Sequence, residues 1–292
     1  MTRATPPALA GAPLLVAHRG GAGLAPENTL PAFLSAHDDW AADMIELDIR
    51  LTADGVVVVH HDPTVDRTTD GAGPLAERTL AQLRELDAGY RFTPDGRSFP
   101  FRGRGVRIPT LAEVLEALPA MRFTVEVKAP EAQRPFFEVA RRLGAEGRIV
   151  AASLHDRERT LFREWPGAIS ASMEQVRRFY LLQRLGLARL WVPPVDVFQV
   201  PERAGRLLVC SPRFVRALHA HGVAVQVWTV NDAADMERLL RAGVDGIQSD
   251  YPDRLAHVMS RLFDRPQPPA VSRGAAAPPH VPPPPSAQPP VE

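Results

Sequence analysis

The chain has 292 residues, enough for one large domain with extensions. Its 34 Lys and Arg balance 34 Asp and Glu, so composition offers no global field for nucleic acid or an anionic membrane. The single cysteine, Cys210, excludes an internal disulfide and says nothing for a cysteine-based metal site.

Residues 1–13 read as an N-terminal extension. The apolar run at 14–17 is too short for the core of a signal peptide. No run reaches the ~20 apolar residues that span a bilayer, so a soluble, cytoplasmic protein without a transmembrane segment is expected.

From residue 14 onward, short apolar runs alternate with amphipathic stretches. Strands are expected at 14–18, 44–48, 123–127, 149–152, 168–171, 195–200, 223–228 and 246–249. Helices are expected at 29–38, 111–118, 131–143, 157–164, 174–187, 212–221, 233–241 and 252–263. Strand–helix alternation argues for a parallel sheet, and eight strands argue for closure as a TIM-type (β/α)8 barrel over residues 14–264. Residues 63–108 break the rhythm and read as an insertion, with one helix-like piece at 80–86. Residues 265–292 read as a disordered tail. Residues 266–292 hold 11 of the 30 prolines, and their only aliphatic side chains above Ala are Val271, Val281 and Val291. Polyproline II character is expected there, either inert or as a docking segment for a proline-recognising partner.

The residues that carry chemistry sit where the apolar runs end. Glu46 and Asp48 are two apart on a strand, so both face one side while Ile45 and Leu47 face the other. Two inward carboxylates repel each other unless a hard divalent cation takes their oxygens or a base such as Arg50 pairs with one of them. Glu126 and Lys128 repeat the pattern on a second strand. Such exposed pairs are common, so this spacing alone assigns Glu126 and Lys128 no role. Taken with the other motifs, Glu126 would complete a three-carboxylate site, and Lys128 would compensate charge and touch phosphate or substrate oxygen. His18 and Arg19 end the first strand, where an imidazole can move protons and a guanidinium fork suits two phosphate oxygens. Asn28 is a candidate N-cap, and Glu27 suits the positive end of a helix. His60 and His61 are adjacent, so an extended backbone sends them to opposite sides. Trp228 is either ordinary core or an apolar surface for substrate carbons.

The pieces His18-Arg19-Gly20, Pro26-Glu27-Asn28-Thr29, Glu46-Leu47-Asp48, His61-Asp62 and Glu126-Val127-Lys128 resemble, in wording and order, the glycerophosphodiester phosphodiesterase family. The resemblance continues through Val227-Trp228-Thr229-Val230-Asn231 and Asp245-Gly246-Ile247-Gln248-Ser249-Asp250, where Ser249 departs from the usual Thr. It covers residues 14–262. It implies hydrolysis of a glycerophosphodiester to sn-glycerol 3-phosphate and an alcohol. It also implies one divalent cation, Mg²⁺ or Ca²⁺, on Glu46, Asp48 and Glu126, and catalysis by His18 and His61. Arg19, Lys128 and Trp228 would bind substrate, with Glu27 and Asn28 in support. The resemblance selects His61 over His60, leaving His60 structural. It further implies that the 63–108 insertion lies over the barrel mouth. A lysophospholipase-D-like enzyme acting on lipids is the neighbouring reading, which an exposed apolar patch around that insertion would favour; Phe92, Phe99 and Phe101 lie there amid Arg97, Arg102, Arg104 and Arg107. An inactive barrel serving as an interaction protein is the reading from another class.

Overall fold

A computed structural model describes residues 4–273. Its strands are β1 (Leu14–Ala17), β2 (Met44–Leu51), β3 (Val57–Val59), β4 (Arg122–Val127), β5 (Ile149–Ala152), β6 (Ala168–Ile169), β7 (Val197–Pro201), β8 (Arg203–Ala204), β9 (Leu207–Leu208), β10 (Ala224–Trp228) and β11 (Gly246–Ser249). Eight of them form a parallel sheet in the order β6-β5-β4-β2-β1-β11-β10-β7. The two ends of that order meet through a parallel bridge between Ser170 and Val197, giving the nearly closed barrel expected from the alternation. The Ala171 amide donates to the Val197 carbonyl at 2.9 Å, and the Asp196 amide donates to the Ile169 carbonyl at 2.9 Å.

The helices are α1 (Leu30–Asp38), α2 (Leu80–Leu83), α3 (Leu111–Ala117), α4 (Gln133–Arg142), α5 (Met173–Arg184), α6 (Pro212–His219), α7 (Ala233–Arg241), α8 (Pro252–Phe263) and α9 (Pro269–Ser272). Side-chain caps set several starts. Thr110 and Glu113 close a capping box on α3, Ser172 and Gln175 do so on α5, and Asp232 accepts from two amides of α7. Strand residues that face outward, such as Leu15, Ile45, Leu47, Phe123 and Val125, bury against the helices in one continuous core.

The barrel interior is layered. Its floor is apolar, built from Leu14, Val16, Met44, Val150, Ala168 and Val197. The N-terminal extension closes this floor, because a 3-10 turn at Pro7–Leu9 inserts Ala8 and Leu9 into the same cluster. Above it lies a polar layer in which the Gln199 amide donates to Thr124 Oγ1 and to Gln226 Oε1, both at 2.9 Å. In register, Glu46 lies beside Thr124, and Asp48 lies beside Glu126 one layer higher. The carboxylates therefore cap the interior at the C-terminal ends of the strands.

Two departures from the sequence reading have physical causes. The helix expected at 157–164 is two 3-10 turns, Asp156–Glu158 and Phe162–Glu164. Pro166 holds Trp165 extended, which removes the last turn, and little besides Phe162 and Trp165 is buried. Strand β2 runs past Asp48 to Leu51 because it pairs antiparallel with β3, which carries His60, His61 and the insertion. The insertion has a satellite core of Val58, Val65, Leu75, Leu83, Ala88, Val106 and Ile108. Residues 265–273 contact the barrel. Arg265 donates to Asp43 Oδ2 and to the Pro13 carbonyl, both at 2.6 Å, and the Ala270 amide of α9 donates to the Asp39 carbonyl at 2.9 Å. Arg273 adds contacts to the Asp38 carbonyl and the Asp39 carboxylate, and composition averaged over the whole tail conceals such single residues. The remaining tail, 274–292, where the disorder and proline-docking readings fall, lies outside the described residues. Among the described residues, no helix is long and apolar enough to cross a membrane.

Candidate active site

Strands β2 and β4 bring Glu46, Asp48 and Glu126 together. One oxygen from each carboxylate lies within 4.8 Å of the others. Glu46 and Asp48 are buried, and Glu126 is half-buried. Burial and the neighbouring Asp48 charge push the Glu46 carboxyl up to about 7. Asp48 goes the other way. Burial opposes its charge, but Lys128, Arg19 and His61 outweigh burial and hold it well below the usual carboxylate range. The Lys128 ammonium lies 2.8 Å from Glu126 Oε1 and 3.1 Å from Asp48 Oδ1. Burial works against that ammonium, while Asp48 and Glu126 raise its pKa overall. A cluster of three carboxylates, one of them resisting ionisation, is short of positive charge. An all-oxygen set of this kind fits a hard divalent cation.

The loop after β1 encloses the cluster from one side. Arg19 adopts a left-handed φ of 51°, followed by Gly20 at φ 84° and Gly21 at φ 97°. A Cβ on Gly20 would come within 2.6 Å of the Phe33 ring, so the tight turn requires glycine there. The turn aims the Arg19 amide at Glu46 Oε2, at 3.0 Å. The Arg19 side chain reaches Glu27 Oε1 at 2.9 Å and lies 3.3 Å from Asp48 Oδ2. The 3.3 Å contact is made by its buried Nε, which pairs with Asp48 without forming a hydrogen bond. Asn28 does not cap α1; Thr29 holds the N-cap position. With φ at 58°, Asn28 instead donates to Asp48 Oδ2 at 2.9 Å and accepts from the Asp48 amide at 3.2 Å. Asparagine tolerates that left-handed conformation, and the two-way clamp fixes the Asp48 carboxylate.

Two imidazoles flank the cluster, each backed by an aspartate. His18 Nδ1 lies 2.6 Å from Asp250 Oδ1, and its Nε2 is 3.9 Å from Glu46 Oε2. Burial would lower the His18 pKa, but the Asp250 hydrogen bond and the Glu46 charge raise it overall. Asp250 is itself held by Asn231, whose Nδ2 donates at 2.8 Å. His61 Nδ1 lies 2.6 Å from Asp62 Oδ1, and burial lowers the His61 pKa. Two imidazoles shifted in opposite directions suit a pair in which one works charged and the other neutral. His60 is buried, its Nε2 lies 3.0 Å from the Thr64 carbonyl, and burial lowers its pKa. Trp228 ends β10 half-buried.

Sequence reasoning assigned no role to Asp250, Asn231 or Arg67. The first two lie inside quoted motif pieces, and their position beside His18 follows only from strand order. Arg67 belongs to the insertion. It grips Glu27 with both terminal nitrogens at 2.6 and 2.7 Å and reaches Asp62 Oδ2 at 2.5 Å, tying the β1 loop to the His61 turn. Nothing near it in sequence signals that contact. The insertion faces the β1 loop across a cleft of about 250 Å³ lined by residues including Gly23, Glu27, Arg67, Arg91, Phe92 and Tyr251.

An acidic trio, two imidazoles and cationic side chains thus meet at the mouth of a (β/α)8 barrel, and its relatives place the chain among hydrolases of phosphoric diesters. Residues 18–254 match the model of the glycerophosphoryl diester phosphodiesterase family, and the chain belongs to that family. It is 34% identical over 257 residues to a glycerophosphodiester phosphodiesterase of Caldanaerobacter subterraneus, covering 85% of this chain and 98% of that protein. The crystal structure of the glycerophosphoryl diester phosphodiesterase domain of a Mycobacterium tuberculosis protein is similar with a TM-score of 0.76 and 25% identity, covering 86% of this chain and 99% of that one. A phosphodiesterase of Oleispira antarctica, solved in complex with the product sn-glycerol-3-phosphate, is similar with a TM-score of 0.68 and 26% identity, covering 87% and 99%.

Proposed function

We propose that this protein hydrolyses glycerophosphodiesters to sn-glycerol 3-phosphate and an alcohol, with His18 and His61 as its acid–base pair. The observation that carries the reading is the pair of His–Asp couples flanking one buried acidic trio. Glu46, Asp48 and Glu126 would hold one divalent cation, Mg²⁺ or Ca²⁺, which when bound supplies charge neutralisation and polarisation of the ester. The Arg19 guanidinium and the Lys128 ammonium offer positive charge to the non-bridging phosphate oxygens, where negative charge grows in the transition state. One imidazole takes the proton of the attacking hydroxyl as the new O–P bond forms; attack by water gives sn-glycerol 3-phosphate directly, and attack by the glycerol 2-hydroxyl gives a cyclic phosphate that water then opens to the same monoester. The other gives its proton to the departing alkoxide as the old O–P bond breaks. Asp250 and Asp62 orient the two rings. Trp228 presents an apolar ring to the glycerol carbons, and Arg67 keeps Glu27 and Asp62 in register.

The lipid-directed alternative gains little from the insertion. Phe92 and Phe101 stack edge to face at 5.5 Å, and the Arg102 guanidinium covers the Phe99 ring at 3.7 Å. Purified protein incubated with glycerophosphocholine or lysophosphatidylcholine, with and without EDTA, tests the proposal by coupled detection of choline, which either substrate would release, with sn-glycerol 3-phosphate assayed in the glycerophosphocholine arm. Chelator-sensitive release from glycerophosphocholine is the expected result. Turnover of lysophosphatidylcholine alone, or full activity after exhaustive chelation, would reject it.

A further inference from the structure

Zero net charge conceals a strong asymmetry. Between residues 175 and 231 there are eight arginines and only two carboxylates, Asp196 and Glu202. Both carboxylates are engaged. Asp196 Oδ2 accepts from the Ile169 amide at 2.9 Å, and Glu202 Oε2 accepts from Arg238 at 2.9 Å. The stretch 175–195 contains no acidic residue at all. It covers most of α5 and the loop that follows. Because α5 leaves the mouth end of the barrel and β7 begins at the other end, this loop lies away from the acidic trio.

The same stretch exposes apolar side chains that a soluble surface normally hides. Leu181 is 61% exposed, Leu185 71%, Leu190 76% and Val192 63%, and Leu187 is exposed beside them. Arg177, Leu181, Arg184 and Leu185 fall at helical positions i, i+4, i+7 and i+8, so one face of α5 alternates cation and leucine. Arg177, Arg178, Arg184 and Arg189 are exposed, and none is ion-paired to a carboxylate among the described residues. The Arg178 guanidinium lies 4.4 Å from the Trp191 ring centre, which ties the loop to the helix. Arg213 and Arg216 of the neighbouring helix α6 extend the positive field.

We infer that this flank is a docking surface for an anionic phospholipid bilayer, to which the protein binds peripherally. Leucines enter the acyl boundary while arginines meet lipid phosphates, the pattern of an interfacial amphipathic element. A polyanion such as nucleic acid would use the arginines but has no use for five exposed aliphatic side chains, so lipid is the better match in chemistry. Docking by this face leaves the barrel mouth open to water-soluble substrate. The surface therefore localises the enzyme without feeding lipid into the site.

The full chain should float with vesicles of three parts phosphatidylcholine to one part phosphatidylglycerol in 50 mM salt. It should not float with pure phosphatidylcholine, and 500 mM salt should release most of it. The pair Arg184→Gln with Arg189→Gln should weaken partitioning about thirtyfold. The pair Leu185→Ser with Leu190→Ser should weaken it at least fivefold. Both pairs lie far from the acidic trio and should leave the thermal midpoint and turnover of soluble substrate unchanged. Absence of flotation on anionic vesicles overturns the inference. So does loss with the arginine pair but full flotation with the leucine pair, which would mark a generic polyanion site.

Discussion

His18 and Asp250 are 232 positions apart, and their side chains meet at 2.6 Å. The contact follows from register. Strands β1 and β11 are parallel neighbours with Ala17 opposite Ser249, so the next residue of each strand faces the other across the mouth. Asp250 can fix the ring so that Nε2 points into the site, and it favours the charged form of the imidazole. Asp250→Asn keeps the shape and removes the charge. We expect kcat to fall about 10²-fold or more while KM changes little. The limb of the pH–rate profile that reports His18 should move to lower pH, and Asp250→Glu should recover part of the loss. A purely structural role would shift the melting temperature and leave the pH profile in place.

His60 and His61 should separate cleanly. His61→Ala should lower kcat by about 10²–10⁴-fold in a folded protein. His60→Ala should leave turnover within a few-fold, because the His60 ring is buried against the Thr64 carbonyl. Inactivation by His60→Ala with an active His61→Ala would reverse the assignment.

His60 also sets a pH dependence of stability. Burial lowers its pKa below the ordinary value of 6.5; the Thr64 carbonyl, Asp62 and Glu27 oppose that shift, and Arg50 adds to it. Above 6.5 the ring is neutral in both the folded and unfolded chain, and its contribution is fully present. As pH falls below 6.5 the unfolded chain binds a proton first, so stability declines until the folded pKa is reached. His60→Gln should flatten this part of the curve of unfolding free energy against pH, measured by urea titration. An unchanged slope would show that His60 is not the group responsible.

Strand positions and their order were readable because apolar runs bounded by turn residues survive in one dimension, as at Met44–Leu51 and Gly246–Ser249. A spacing of two made Glu46 and Asp48 readable as one face, whereas Glu126 joined them through the order of the family motifs. Contacts made by closure were not. Neither the Asp250 support of His18 nor the Arg67 bridge to Glu27 leaves a local trace, because each depends on which strands or loops become neighbours. The cap assigned to Asn28 failed because a left-handed turn moves it away from the helix start and onto Asp48. The averaged composition of the tail hid Arg265, whose partners Asp43 and Pro13 lie more than 200 residues earlier.

The C-terminal segment makes a quantitative prediction. Arg265→Ala removes two hydrogen bonds from a charged, mostly buried guanidinium and leaves Asp43 without that partner. Each charge-assisted bond contributes roughly 1.5–3 kcal/mol where burial is substantial, so a loss of about 2 kcal/mol is expected. Truncation after Asp264 should lower the thermal midpoint at least as far, because α9 goes with it. Truncation after Arg273 should leave the midpoint within about a degree, since the composition of the removed residues offers no core. A protein ending at Asp264 with an unchanged midpoint would show that these contacts contribute nothing to stability.

The acidic trio makes the sharpest prediction for ion binding. Glu46→Gln, Asp48→Asn and Glu126→Gln each remove one anionic ligand, and each should weaken Mg²⁺ or Ca²⁺ binding measured by calorimetry as well as turnover. The three should differ in stability. Asp48 is buried among Lys128, Arg19 and Asn28, so Asp48→Asn leaves two cations short of a partner and should destabilise the ion-free protein. Glu46 carries the opposite bias, because burial and Asp48 push its carboxyl up to about 7. Glu46→Gln therefore removes a charge that the ion-free fold resists, and the ion-free protein should be as stable as the parent or more so near neutral pH. Added divalent cation should raise the melting temperature of the parent and raise that of Glu46→Gln much less. Equal stabilisation of both proteins by the ion would mean that Glu46 is not a ligand. The buried Glu46 carboxylate would then serve only the Arg19 amide that donates to it.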